Sequence, residues 1–226
     1  GVLTAELARR AKRVVSIELD ERLRPVLGKT LAEFDNIRLI FADVMKTDLF
    51  TVIRDNFADC GDVTVCANLP YYITSPIIMS LLESRLPVKS ITVMVQKEAA
   101  ERLCAEVGSR SAGAVTAAVK DYAESEILFE VPRTSFLPAP NVDSAVIRLT
   151  VRQEPPVKVS DEKQLFALIR ACFAQRRKTL VNTVSSTLGT DKETLRAALA
   201  EMGLEPTVRG EALSLEQLAE LSERIK

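Results

Sequence analysis

The chain has 226 residues, 47% hydrophobic and 27% charged, and a formal net charge of −1. That composition predicts a soluble globular protein with one ample core, or one domain plus a small annex. It excludes wholesale polyanion binding, so any nucleic-acid contact has to come from a local basic patch. Histidine is absent, which removes Ser-His-Asp and Cys-His catalysis and argues against a catalytic zinc site. No apolar run approaches the roughly 18 residues of a membrane span. Cys60, Cys66, Cys104 and Cys172 form no CxxC pair, so the reading is of a reduced, cytoplasmic protein that binds no metal.

In chain order, residues 13–18 read as a β-branched strand ending in acid, 21–33 as a helix and 37–41 as a strand. A short helix near 48–56, a strand at 62–67, a helix at 75–84 and a strand at 90–95 continue the alternation. Strands alternating with helices predict an α/β fold with a mostly parallel sheet covered on both faces. After helical stretches at 97–107 and 111–122, strands 126–131 and 144–151 are joined by a proline-rich loop, which predicts an antiparallel edge hairpin. Gln153–Pro156 reads as a linker. Beyond it, 161–174, 176–187, 191–202 and 214–224 have helical spacing, with Asp161, Asp191 and Ser214 as N-caps. The predicted domains are therefore 1–154, α/β, and 155–226, a small all-helical domain.

In doubly wound folds a ligand lies across the carboxyl ends of the strands. Glu18 ends its strand 17 residues after Gly1. Its carboxylate can accept both ribose hydroxyls of an adenosyl group, or it is a solvated acid starting the next helix. Asp43 follows the next strand. It can accept from an exocyclic amine while the backbone after it, at Val44, meets the ring, or it is a turn or cap aspartate. One adenosyl moiety would explain both strand-end acids. The strand and glycine-rich turn belonging before Glu18 are not in this chain, whose Gly1 fits the last glycine of such a turn. The natural protein is therefore expected to extend upstream, and these residues alone to bind cofactor poorly.

Asn68-Leu69-Pro70-Tyr71-Tyr72 follows the apolar strand directly. Proline stops the strand and stiffens the backbone. Asn68 offers an amide oxygen, the Leu69-Pro70 peptide a carbonyl, and Tyr71 a flat face for a base. Two acceptors can bind both hydrogens of an amino group and turn its lone pair out of conjugation, which is catalysis by positioning. The other reading is a strand-terminating turn with a packed tyrosine. Phe136 sits in the stiff loop SFLPAP, where Pro138 and Pro140 limit the backbone, either packed under the loop or presented to a base.

VVSIELD, FADVMKTD, NLPYYITSPI, VMVQKEAAERL, SFLPAPNVDSAVIRL and FAQRRKTLVN, in this order, resemble the successive motifs of the KsgA-type small-subunit (16S) rRNA adenine N6,N6-dimethyltransferase family. The resemblance runs from Gly1 through the last helices. It implies a Rossmann-like class I methyltransferase sheet with S-adenosyl-L-methionine as cofactor. By resemblance Glu18 and Asp43 hold the cofactor, Asn68 and Leu69 the target amine, and Tyr71 and Phe136 sandwich the adenine; Gly1, Val44 and Asn68 are also expected at the cofactor site and Pro70 at the catalytic one. The implied reaction puts two methyls on each of two neighbouring adenosines near the 3′ end of 16S rRNA, within a pre-ribosomal particle and by a monomer. SAGAVTAAVKDYA departs from the family pattern, away from the methyl-transfer motifs.

From Lys163 to Asn182 there are five basic residues and no acid. Arg176, Arg177 and Lys178 sit at the start of a predicted helix, where positive charge opposes the helix dipole. A phosphate backbone would supply the partner; solvation is the alternative. Two other functions stay open: a large-subunit rRNA adenine methyltransferase of the antibiotic-resistance type, and a non-catalytic ribosome assembly factor.

Overall fold

The structure, a computed structural model, describes residues 1–175 and 177–226. The chain divides into two compact units, Gly1–Thr64 with Ser84–Lys89, and Val65–Glu83 with Ser90–Lys226.

The first unit contains α1 (Val2–Ala8), β1 (Val14–Glu18), α2 (Arg24–Thr30), β2 (Ile37–Phe41) and α3 (Leu49–Phe57). Strands β1 and β2 pair in parallel, from Val14 opposite Ile37 to Glu18 opposite Phe41. Parallel neighbours need a crossover, which α2 supplies. This helix is shorter than predicted, because Asp20 caps a 3-10 turn at Glu21–Leu23 before α2 begins with a proline in its first turn. Two hydrogen bonds of 2.9 Å from the Asn36 amide to the carbonyls of Ala8 and Ala11 tie the end of α1 to the entry of β2. A Cβ on Gly1 would come within 3.1 Å of Leu27 and 3.3 Å of Leu31, so glycine lets α1 start close against α2.

The second unit holds most of β3 (Thr64–Asn68), then α4 (Thr74–Glu83), β4 (Ser90–Gln96), α5 (Lys97–Leu103), α6 (Ala114–Tyr122), β5 (Ala123–Val131) and β6 (Ser144–Val151). The strand order is β3-β4-β6-β5, and β6 runs antiparallel to both neighbours. The predicted hairpin forms, with β6 inside and β5 at the edge. Burial alternates along β4, as a period of two requires. Its buried Ile91, Val93 and Val95 lie opposite buried Leu149, Ile147 and Ala145 of β6. Helix α6 passes straight into β5, three residues earlier than the predicted strand start.

The chain ends in α7 (Glu162–Ala174), α8 (Leu180–Leu188), α9 (Lys192–Glu201) and α10 (Leu215–Arg224). Apolar positions at helical spacing, such as Leu165, Leu168, Ile169 and Cys172, give each helix a face for a shared core. Ala117 of α6 joins that core. Asp161, Asp191 and Ser214 each accept from a backbone N–H in the first turn, and Ser214 forms a capping box with Gln217. The predicted start of α8 was too early: Thr179 is its N-cap, so Arg177 and Lys178 precede the helix.

Gly210 touches α7 without room for a side chain. A Cβ there would lie 2.5 Å from Cβ of Cys172 and 2.7 Å from its Cα, which is backbone and cannot swing away. Gly210→Ala is expected to destabilise the protein by about 1–3 kcal/mol or more, as overpacking does. A urea titration followed by circular dichroism checks this, and an unchanged midpoint refutes it. The Cys172 thiol, which burial pushes up to about 12, is an inert core group.

Candidate active site

The first unit presents its functional candidates at the carboxyl edge of the β1–β2 pair. The Glu18 carbonyl accepts from the Ala42 N–H at 2.9 Å, holding the two strand ends together. One Glu18 carboxylate oxygen accepts from the Asp20 N–H at 2.9 Å, and the other has no partner among the described residues. Asp20 is committed elsewhere: hydrogen bonds from the side chain and backbone N–H of Arg22 hold its carboxyl down at about 2. Leu19, between them, is 68% exposed.

Asp43 leaves β2 and caps a 3-10 turn at Val44–Lys46, accepting from the Met45 N–H at 3.0 Å and meeting the Lys46 ammonium at 3.8 Å. Its cap role is therefore real, and it leaves the Val44 N–H without an acceptor among the described residues. The edge thus offers a carboxylate oxygen, an open N–H, and two exposed apolar side chains, Leu19 and Met45. These groups suit a ligand bearing hydroxyls beside a flat ring.

The second unit presents the Asn68–Tyr71 turn. Strand β3 ends at Asn68. The Leu69 N–H donates to the Met94 carbonyl at 3.4 Å, and the buried Leu69 side chain anchors the turn. Pro70 is extended (φ −60, ψ 130) and caps a 3-10 turn at Tyr71–Ile73. Its carbonyl accepts from the Ile73 N–H and the Thr74 hydroxyl, both at 3.1 Å. The exposed Asn68 amide and the Leu69 carbonyl have no partner among the described residues. Two adjacent acceptors therefore stand open at the end of a strand, on a backbone that cannot collapse onto them.

Tyr71 is half-buried, and its hydroxyl shares a 2.6 Å hydrogen bond with Ser144 at the start of β6. Tyr72 is 87% exposed. Phe136, also half-buried, follows a 3-10 turn at Arg133–Ser135. The Asp143 carboxylate accepts from the Arg133 N–H at 2.9 Å, and the Asp143 carbonyl from the Lys97 N–H at 3.0 Å. The loop between β5 and β6 is thus pinned at both ends, leaving Leu137 wholly exposed beside Phe136. A depression lined by Lys97, Glu98, Glu101, Arg133 and Asp143 lies against the same loop.

The family model described as "Ribosomal RNA adenine dimethylase" matches residues 1–226. The chain belongs to the ribosomal RNA adenine dimethylase family. It is accordingly an enzyme that transfers methyl groups to adenine in rRNA, as the order of its sequence motifs implied. A relative from Geobacillus thermodenitrificans, "Ribosomal RNA small subunit methyltransferase A", is 52% identical over 98% of this chain and 77% of its own length. Among solved structures, a dimethyladenosine transferase from Plasmodium falciparum superposes with a TM-score of 0.75 at 26% identity, over 98% of this chain and 84% of that one. The 23S rRNA methyltransferase ErmE gives 0.72 at 27%, over 100% and 86%. These neighbours bear out the Rossmann-like methyltransferase fold.

Of the residues this family member was expected to use, Glu18, Asp43 and Val44 fall together at one strand edge, and Asn68, Leu69, Pro70 and Tyr71 on one turn. Gly1 packs against α2. Arg176 lies outside the described residues. Arg177 and Lys178 are exposed and make no ion pair among the described residues, and the same holds for Lys163 and Arg170. The sequence reading did not single out Leu19 and Met45, which the structure leaves exposed beside the strand-end acids, or Ser144, which it bonds to Tyr71. An apolar residue directly after the strand-end acid was the one available signal, for Leu19. Among the described residues no helix is long and apolar enough to cross a membrane, and no three acidic or thiol groups cluster as a metal site.

Proposed function

We propose that the chain uses S-adenosylmethionine to dimethylate N6 of two adjacent adenosines near the 3′ end of 16S rRNA, as a cytoplasmic monomer acting on a pre-ribosomal particle. The observation that carries this is the Asn68–Tyr71 turn, with two unsatisfied acceptors beside an aromatic ring. S-adenosylmethionine, when bound, supplies a methyl group already activated on a sulfonium sulfur. The open oxygen of Glu18 would accept from ribose hydroxyls, the Val44 N–H would donate to the adenine ring, and the exposed Leu19 and Met45 would offer it apolar contact.

Asn68 Oδ1 and the Leu69 carbonyl would accept from the two N6 hydrogens of the target in the first transfer, and one of them from the single remaining hydrogen in the second, turning the lone pair away from the purine. Each transfer forms an N–C bond as the S–C bond breaks and releases one N6 proton to water. No general base is needed for that alignment, which suits a chain without histidine. Tyr71 and Phe136 stack on the extruded base. Stacking of about 1–3 kcal/mol per base offsets part of the cost of unstacking it.

Residues 1–154 are assigned to the methyl-transfer domain and 155–226 to RNA binding. In the latter Lys163, Arg170, Arg177 and Lys178, which make no ion pair among the described residues, are the candidates for phosphate contact, with Arg176 beside them in sequence. Replacing Arg177 and Lys178 by Gln is expected to weaken rRNA binding and lower the log–log salt slope by about 0.7–0.9 per lost contact. Filter binding from 50 to 200 mM salt measures it, and an unchanged slope assigns both side chains to solvent. The proposed reaction is tested with radiolabelled S-adenosylmethionine on under-methylated small and large subunits. Dimethyladenosine in small-subunit RNA is the expected product. Label in the large subunit alone points to the resistance-type enzymes, and binding without label points to an assembly factor.

A further inference from the structure

We infer that Ser144 is a positioning residue for methyl transfer, its hydroxyl fixing where the Tyr71 ring, against which the target adenine lies, is held. This rests on the proposed stacking role of Tyr71. Ser144 has no exposed surface, and its Oγ lies 2.6 Å from the Tyr71 hydroxyl across 73 residues of sequence. A buried hydroxyl needs a hydrogen-bond partner, and Tyr71 is the one that Ser144 has among the described residues. The neighbouring Tyr72, 87% exposed, has no such tether.

A tyrosine held only through its backbone can turn about two side-chain bonds. Fixing the hydroxyl at the far end stops the swing of the ring about Cα–Cβ, while spin about Cβ–Cγ, whose axis passes through the hydroxyl oxygen, is left to packing. Ser144 is a firm anchor, because its backbone sits in the β6 ladder opposite Gln96 and Val131. The residue before it does the matching task for the other ring. The Asp143 carboxylate takes the Arg133 N–H at 2.9 Å and so fixes the turn leading to Phe136. Two consecutive residues, Asp143 just before β6 and Ser144 at its start, therefore hold the turn that precedes Phe136 and the hydroxyl of Tyr71. A loosened Tyr71 would still contact a base, while the amine would no longer be aligned with the Asn68 and Leu69 acceptors. Small misplacements of this kind cost rate more than affinity.

The test compares Ser144→Ala, Tyr71→Phe and the double variant in the full chain, with under-methylated small subunits as substrate. Tyr71→Phe keeps the ring and removes the same hydrogen bond from the other side. Each single variant is expected to lose several-fold to about tenfold in kcat, with KM for the subunits nearly unchanged. The double variant should lose no more than either single one. Wild-type kcat in Ser144→Ala, or losses that multiply in the double variant, would overturn the inference. A readout independent of turnover is the NMR signal of the Tyr71 ring protons. These should shift in Ser144→Ala, and unmoved signals overturn the inference even if the protein melts earlier. An inactive wild type sinks the methyl-transfer reading alone, since the ring signals still report on Ser144.

Discussion

Replacing Asn68 with alanine is expected to lower methyl transfer by about 10²-fold or more, with rRNA affinity close to wild type. The amide stands exposed at the end of β3 with no partner among the described residues, so its removal disturbs no internal hydrogen bond. The backbone around it is held independently by the Leu69 N–H to Met94 contact and by the two bonds onto the Pro70 carbonyl. The loss should therefore appear in the chemical step and not in folding. Removing one preorganised polar group aimed at a reacting atom costs roughly 2.7–4 kcal/mol of transition-state stabilisation. Single-turnover kinetics with saturating subunits isolates that step. A variant within a few-fold of wild type would show that the Leu69 carbonyl alone orients the amine.

The parts legible in the sequence are those whose cause is local. Asp161, Asp191 and Ser214 were readable as caps because an N-cap is set by the few residues after it. The Asn68–Tyr71 turn was readable because proline after an apolar strand has few conformations open to it. Asp43 left two readings standing. The structure gives it the cap, on the Met45 N–H, and leaves the neighbouring Val44 N–H without an acceptor among the described residues, so the cap alone does not use up the group expected to meet a ligand. Where the cause is distant, the reading failed. The start of α8 slipped because basic residues have good helix propensity and only tertiary packing of Leu180 and Val181 marks the true first turn. Ser144 looked like one polar residue in a strand. Its meaning depends on Tyr71, 73 positions away, and no local pattern encodes that.

Glu18→Gln is expected to weaken S-adenosylmethionine binding by about 10- to 150-fold with little change in thermal stability. Glutamine keeps the side-chain carbonyl that accepts from the Asp20 N–H at 2.9 Å, so the turn after β1 stays formed. It replaces the second oxygen, open in this structure, with an amide NH2 group that can only donate. A ribose hydroxyl that donated to the carboxylate loses its acceptor, and the negative charge that strengthened the bond is gone. Hydrogen bonds to charged groups contribute roughly 1.5–3 kcal/mol, which sets the expected range in Kd. Asp20 cannot substitute, because Arg22 already occupies its carboxylate. Isothermal calorimetry on the two proteins, beside their melting curves, separates the outcomes. Equal affinity with equal melting would confine Glu18 to its turn, whereas weaker binding with a lowered melting temperature would mean the turn itself had failed. Weaker binding at an unchanged melting temperature is the result that assigns the open oxygen to the cofactor.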